Sequence, residues 1–274
     1  MERIARALEL AHASHAPAGA RVAAADASAR AASISPASAD ETPTFIARTV
    51  HADHASHEGE RILQPGASGA QGVSYKLLRT QVLQRLDQLG ANTLAILSAA
   101  SSEGKTLTAI NLAIAVAAEL GRTALLVDFD LRNPSVHKRL GFEVDVGVEA
   151  CLQSGRSAQD VIVRVAGYPR LSVMPARDPV EHSSELLTSQ RTANLVSELR
   201  GRYADRIVIF DLPPVLQGDD ALAFSRSVQA GLFVIAEGRT QRDEVATSLT
   251  LLRELPIIGT VLNGSREPQR SPYG

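Results

Sequence analysis

Between residues 73 and 263 short, wholly apolar runs alternate with stretches in which apolar positions recur every three or four residues. The first pattern marks a strand buried on both faces and the second an amphipathic helix. Leu77, Leu78, Val82 and Leu86 predict a helix starting at Val73, with Lys76, Arg79 and Arg85 on its other faces. Thr93 to Leu97 reads as the first strand. Leu107 to Leu120 follows as a helix, with Ile110, Ala113, Ile114, Ala117 and Ala118 at helical spacing until Gly121 stops it. Further strands are expected at Thr123–Phe129, Leu171–Met174, Arg206–Leu212, Gly231–Ala236 and Ile257–Asn263, with helices at Ser183–Tyr203, Asp219–Phe224 and Thr240–Leu255. Apolar strands separated by helices require crossover connections. The expected fold class is therefore α/β: a doubly wound, mostly parallel sheet with helices on both faces.

The pattern fades at both ends. Residues 1–72 are rich in Ala, Ser and His, poor in large apolar residues and interrupted by Pro17, Pro36, Pro43 and Pro65. Such a segment buries too little surface to offset its ordering entropy, so a largely disordered tail is expected there. Glu2 to Ala13, with Ile4, Leu8 and Ala11 along one side, suits either a short helix docking on a partner or a fraying end. Residues 73–265 form one expected domain and 266–274 a flexible C-terminal tail.

A formal charge of −2 argues against a nucleic-acid surface built on overall charge. The single cysteine, Cys151, excludes an intramolecular disulfide and reads as a small buried apolar residue, which fits a reducing cytoplasm. No run approaches the roughly 20 apolar residues that a spanning helix needs, so a soluble protein is expected, reaching a membrane only through a partner or a surface-lying segment. His51, His54 and His57 have a metal-like spacing but no rigid element to hold them, and a solvated polar tract is expected.

Chemistry concentrates after the first strand. Ala99, Gly104, Lys105 and Thr106 meet the pattern (A/G)xxxxGK(S/T) between a strand and a helix, the context in which backbone N–H groups cradle phosphate. There Lys105 reaches the outer phosphates and Thr106 Oγ1 ligates Mg²⁺. Small polar turns meet the bare pattern too; the flanking elements make the difference. Ligands of such sheets gather at the carboxyl ends of the strands, and Asp128, Asp130 and Asp211 end two of the apolar strands. Beside a phosphate-bound Mg²⁺, Asp211 is the expected metal holder, and Asp128 the group that accepts a proton or orients the nucleophile. Capping aspartates in turns would give the same positions.

Together these residues resemble a family. Leu125 to Arg132 followed by Pro134 looks like the second Walker-type motif of the bacterial tyrosine kinases, and Ile207 to Val215 is similar to their Walker B strand. Ser102 to Thr106 resembles their P-loop, and Ser184 to Leu187 and Gly259 to Asn263 resemble the remainder of their fold. The nearest branch is the stand-alone ATPases of exopolysaccharide biosynthesis, on a P-loop NTPase fold shared with the MinD/ParA ATPases.

The resemblance implies an ATP- and Mg²⁺-dependent protein-tyrosine (auto)kinase that influences polysaccharide chain length or export. Lys105, Asp128 and Asp130 are then catalytic; Thr106, Asp128 and Asp211 hold metal; Ala99, Ser101, Ser102, Glu103, Gly104, Lys105, Thr106 and Leu107 cradle the phosphates; and Asn263 meets the adenine. It also implies a cytoplasmic protein recruited to the inner face of the cell membrane by the cytoplasmic segment of a polysaccharide co-polymerase, able to form a homo-oligomer. Where the family helix carries Glu, Arg and Arg toward a neighbouring subunit, this chain has Val73, Lys76 and Arg79. Where the family tail carries a tyrosine cluster, this chain has Tyr273, an acceptor candidate or simply an exposed aromatic. Ser101 and Ser102 replace a common Pro and Gly in the loop. A regulatory ATP-binding protein without kinase activity is the alternative. A partitioning ATPase is disfavoured, because Ala100 stands where that class carries an extra lysine.

Overall fold

The computed structural model describes residues 48–52, 61–203 and 205–265. The expectations for a helix at Glu2–Ala13, for His54 and His57, and for Tyr273 lie outside these residues; His51 is exposed.

Eight strands form one sheet: β1 (Thr49–Val50), β2 (Thr93–Ser98), β3 (Thr123–Asp128), β4 (Val163–Val165), β5 (Leu171–Met174), β6 (Arg206–Asp211), β7 (Ala230–Ala236) and β8 (Ile257–Asn263). Their spatial order is β1-β4-β5-β3-β6-β2-β7-β8, and every neighbouring pair is parallel except β4 and β5. The described helices are α1 (Ala70–Leu89), α2 (Lys105–Ala117), α3 (Val136–Leu140), α4 (Glu149–Ser154), α5 (Ala158–Val161), α6 (Ser183–Leu187), α7 (Gln190–Gly201), α8 (Asp220–Ser225) and α9 (Arg242–Leu251).

The inner strands β2, β3, β6 and β7 are apolar almost throughout because both faces are covered. Leu94, Ile96, Leu126, Ile207 and Ile209 point into one core with residues of α1 and α2. Their neighbours Ala95, Leu97, Leu125, Val127, Val208 and Phe210 point into the other, where Phe129, Phe210 and Phe224 meet with ring centroids 4.9 to 5.3 Å apart. Residues alternate between faces along a strand, so two cores need no polar interruption. Helix α2 is buried along almost its whole length, which explains its Ile/Leu/Ala composition.

The order of strands places the site. β2 lies between β6 and β7, and β6 lies between β2 and β3, so the chain reverses its winding direction at β2. Ligands bind at the carboxyl ends of strands flanking such a switch point. In register, Asp211 is paired with both Ile96 and Asp128, which sets the two acids side by side at the carboxyl ends of β6 and β3, level with Ile96 near the end of β2.

Several expectations shift. The helix read over Ser183–Tyr203 is two helices, α6 and α7, broken where the Ser189 side chain accepts from Thr192 N. Helices α3, α4 and α5 and strand β4 fill the long interval between Asp130 and Leu171, which showed no clear period. Upstream, part of the segment read as tail is built into the domain. β1 pairs with β4, Ile62 and Leu63 are buried, and α1 begins at Ala70 rather than Val73. Asn111 on α2 accepts from Leu63 N at 2.8 Å and donates to Arg61 O at 3.0 Å, while Tyr168 Oη donates to Leu63 O at 2.8 Å. Among the described residues no helix is long and apolar enough to cross a membrane.

Candidate nucleotide-binding site

The loop between β2 and α2 turns back on itself at two left-handed residues, Ser102 (φ 62°) and Gly104 (φ 88°). Gly104 precedes the first residue of α2, and Thr108 returns its hydroxyl to the Gly104 carbonyl at 2.9 Å. A glycine is needed there for a second reason: a Cβ would overlap the side-chain nitrogen of Asn263. The loop therefore delivers the N-terminus of a thirteen-residue helix, with its exposed N–H groups, to the end of the sheet.

Lys105 is the first residue of that helix and almost fully buried. Its Nζ lies 2.8 Å from Asp211 Oδ1 and 3.4 Å from Asp130 Oδ2, with Thr106 Oγ1 at 3.5 Å. Burial works against the ammonium charge, but Asp211 and then Asp130 outweigh it, so the Lys105 pKa lies above its ordinary value. Asp130 itself is raised, by burial first, with Lys105 pulling the other way.

Asp128 is held differently. Its Oδ2 accepts from Ser135 N at 3.1 Å and Val136 N at 3.0 Å, and its Oδ1 from Asp130 N at 3.3 Å. Burial, together with the charge of Asp211, pushes its carboxyl up to about 8 in spite of those N–H groups. Three acids thus converge around one lysine, and a cation beside them would favour the ionised forms that burial and mutual repulsion oppose.

Mg²⁺ and a nucleotide fit this donor set on two observations. Asp211 Oδ2 is buried with no hydrogen-bond partner. A hollow of about 160 Å³ opens between the loop from Ser98 to Leu107 and Asp130, Asn133 and Ser135. Mg²⁺ takes one or two carboxylates together with substrate phosphate and water, and Asp211 is such a carboxylate.

Of the residues expected from sequence, Lys105, Thr106, Asp128, Asp130 and Asp211 are brought together at one point. Ser101, Ser102, Gly104 and Leu107 border the hollow, whereas Ala99 is fully buried behind it. Glu103 is also buried, its carboxylate turned toward Ala100 N and the Thr240 hydroxyl. Asn263 donates to Glu103 O at 2.9 Å and borders a second hollow of about 590 Å³ with Ser102, Glu237 and Arg239. Arg132 is paired with Asp220 at 2.7 Å and donates to Ser183 Oγ at 3.3 Å. In α1, Val73 and Lys76 are exposed while Arg79 pairs with Glu119 of the same chain at 2.8 Å. The reading from sequence missed Ser135 and Val136, which hold Asp128 through backbone N–H groups that any residue type supplies, and the Arg239–Thr240 turn, which carries no motif.

A glycine-hinged loop opening a buried helix, with acids at the tips of two adjacent strands, defines a P-loop nucleotide-binding protein on a doubly wound sheet. Residues 94–271 match the family model described as the CobQ/CobB/MinD/ParA nucleotide binding domain. The chain is 31% identical over 202 residues to the tyrosine-protein kinase YwqD of Bacillus subtilis, covering 73% of this chain and 84% of that protein. It spans only 26% of a second relative, the tyrosine-protein kinase wzc of Salmonella typhi, at 30% identity over 192 residues and 69% of this chain. Among solved structures, the chimerical protein CapA2B2 superimposes with a TM-score of 0.68 at 27% identity, covering 81% of this chain and 95% of that one. The chain belongs to the bacterial tyrosine-protein kinases, within the CobQ/CobB/MinD/ParA nucleotide-binding family.

Proposed function

We propose that this chain is an ATP- and Mg²⁺-dependent protein-tyrosine kinase of the kind that regulates exopolysaccharide synthesis or export. The observation that carries the reading is the contact of Lys105 Nζ with Asp211 and Asp130, beside Asp128, at the mouth of the phosphate-binding loop. Mg·ATP bound there would supply the γ-phosphoryl group and positive charge to offset that of the phosphates.

The chain's own residues do the rest. Gly104 and the first N–H groups of α2 seat the phosphates, and Lys105 exchanges part of its contact with Asp211 for phosphate oxygen. Thr106 Oγ1 and Asp211 would hold the metal, with Asp130 beside them. Asp128, oriented by Ser135 N and Val136 N, is aimed to take the proton of a tyrosine hydroxyl. Burial and Asp211 hold that carboxyl far above the usual carboxylate range, so near neutral pH it is largely protonated, and a divalent cation held beside it would favour the ionised form that accepts the proton. Asn263, bordering the second hollow, is assigned to the adenine.

Tyr273 is the proposed autophosphorylation site, and the cytoplasmic segment of a membrane polysaccharide co-polymerase the proposed activator, recruiting the chain from the cytoplasm to the membrane face. Incubation of the purified protein with γ-labelled ATP and Mg²⁺, with and without such a segment, tests this. Label on tyrosine that is lost in Lys105→Met and in Tyr273→Phe is expected. ATP binding without phosphotyrosine under either condition would instead identify a regulatory ATP-binding protein.

A further inference from the structure

The turn after β7 reaches across to the phosphate-binding loop and grips it at three consecutive positions with β8. Arg239 Nη1 donates to Ser102 O at 3.2 Å. The Thr240 hydroxyl donates to Glu103 Oε1 and itself accepts from Ala236 N at 2.8 Å. Glu103 Oε2 accepts from Ala100 N at 3.0 Å, and Asn263 closes over Gly104 while donating to Glu103 O. Glu103 is 3% exposed, so its carboxylate has no water as a ready substitute partner.

These contacts surround a residue whose backbone is unfavourable. Ser102 stands at φ 62°, a left-handed conformation that costs an L-residue free energy and persists only where neighbours over-determine it. We propose that Thr240 is a positioning residue for the phosphate-binding loop: through Glu103, and assisted by Arg239 on Ser102, it holds the left-handed turn that presents Gly104 and Lys105 to a triphosphate. Thr240 acts on the loop and not on the base or sugar, so its influence extends to a ligand that has neither. The proposal rests on the nucleotide-binding reading of the site and is independent of whether a tyrosine receives the phosphate.

The test is calorimetric titration of the full-length protein with Mg·ATP and, separately, with inorganic tripolyphosphate and Mg²⁺, alongside steady-state ATP turnover. Loss of one buried hydrogen bond to a charged group predicts that Thr240→Val weakens both ligands roughly tenfold. KM for ATP should rise by a similar factor while kcat stays within about twofold. Thr240→Ser, which keeps the hydroxyl, should bind both ligands like the parent. Adding Ser102→Gly to Thr240→Val should recover most of the loss, because glycine takes the left-handed turn without a clamp. Should Thr240→Val fail to fold, the exposed Arg239→Gln replaces it, with about threefold weaker binding of both ligands expected. Tripolyphosphate binding unchanged in the variant, or a loss that Ser102→Gly does not recover, overturns the proposal. A parent protein that binds neither ligand overturns the nucleotide reading instead.

Discussion

Lys105 and Asp211 form the most consequential pair of side chains in the molecule, because both are buried and each has the other as its nearest opposite charge. Asp211→Asn leaves the volume unchanged but removes the charge that anchors Lys105 and the orphan oxygen offered to a cation. Mg²⁺-dependent nucleotide binding should weaken by at least tenfold while Mg²⁺-free binding changes less, which titration with and without chelator resolves. Parental Mg·ATP binding in that variant would remove Asp211 from the metal site. Cys151 shows the opposite use of burial. Apolar surroundings, helped by Glu198 and Glu149, push its thiol up to about 12 from 9.0, so almost no thiolate exists at pH 8. Alkylation of the native protein should be slower than that of the unfolded chain by at least a hundredfold, as mass spectrometry can follow. For an acid with a raised folded pKa, the stability that comes from keeping it neutral is complete below about 9 and lost as pH rises toward 12. Cys151→Ala should accordingly remove part of the alkaline loss of stability.

Among the elements, those with a sustained apolar period were legible from sequence and the short ones were not. β2, β3, β6, β7 and β8 lie within a residue or two of their expected positions; the first four are buried on both faces and carry few polar residues to disguise them, while β8, partly exposed at the sheet edge, still reads as an apolar run. Helices α3, α4 and α5 are four to six residues long, too short for a 3.6-residue period to show, and they form because the surrounding domain packs them. The break between α6 and α7 is a local matter of hydrogen bonding. Ser189 caps Thr192 N, and the Thr192 hydroxyl donates to Leu186 O at 2.6 Å, so the turn satisfies groups that one continuous helix would have paired. Ser189→Ala should cost about 1 kcal/mol in urea unfolding, with the loss confined to stability. An unchanged midpoint would show that α7 is held by packing alone. At the site, the motif residues were readable because phosphate chemistry restricts their types, whereas Ser135 and Val136 act through N–H groups that carry no side-chain signature.

At the scale of the molecule, the boundary that composition suggests and the boundary that packing enforces differ. Low apolar content upstream of residue 73 hides a few residues that carry much of the contact: Ile62 and Leu63 lie in the core, and Leu63 occupies both Asn111 and Tyr168. A protein trimmed to residues 73–274 should therefore be less stable than the full chain by about 3 to 6 kcal/mol, the burial of two aliphatic side chains. A matching urea midpoint for the two would mean that this segment packs without contributing. The parallel sheet with two covered faces was predictable from the alternation of elements. Its antiparallel pair and the two-residue edge strand were not, since neither β1 nor β4 is long enough to display a pattern of its own.

The adjacency of Asp128 and Asp211 comes from two neighbouring strands running in step, not from any loop between them. Turns between those strands that lie away from residues 130–136 and from β5 are thus free to lengthen or shorten without altering their spacing. A single amino acid gained or lost inside β3 or β6 would instead turn one carboxylate to the opposite side of the sheet, and in β6 it would leave Lys105 facing a hydrocarbon side chain. Variation in length among proteins built this way should consequently collect between the two strands and be absent within them.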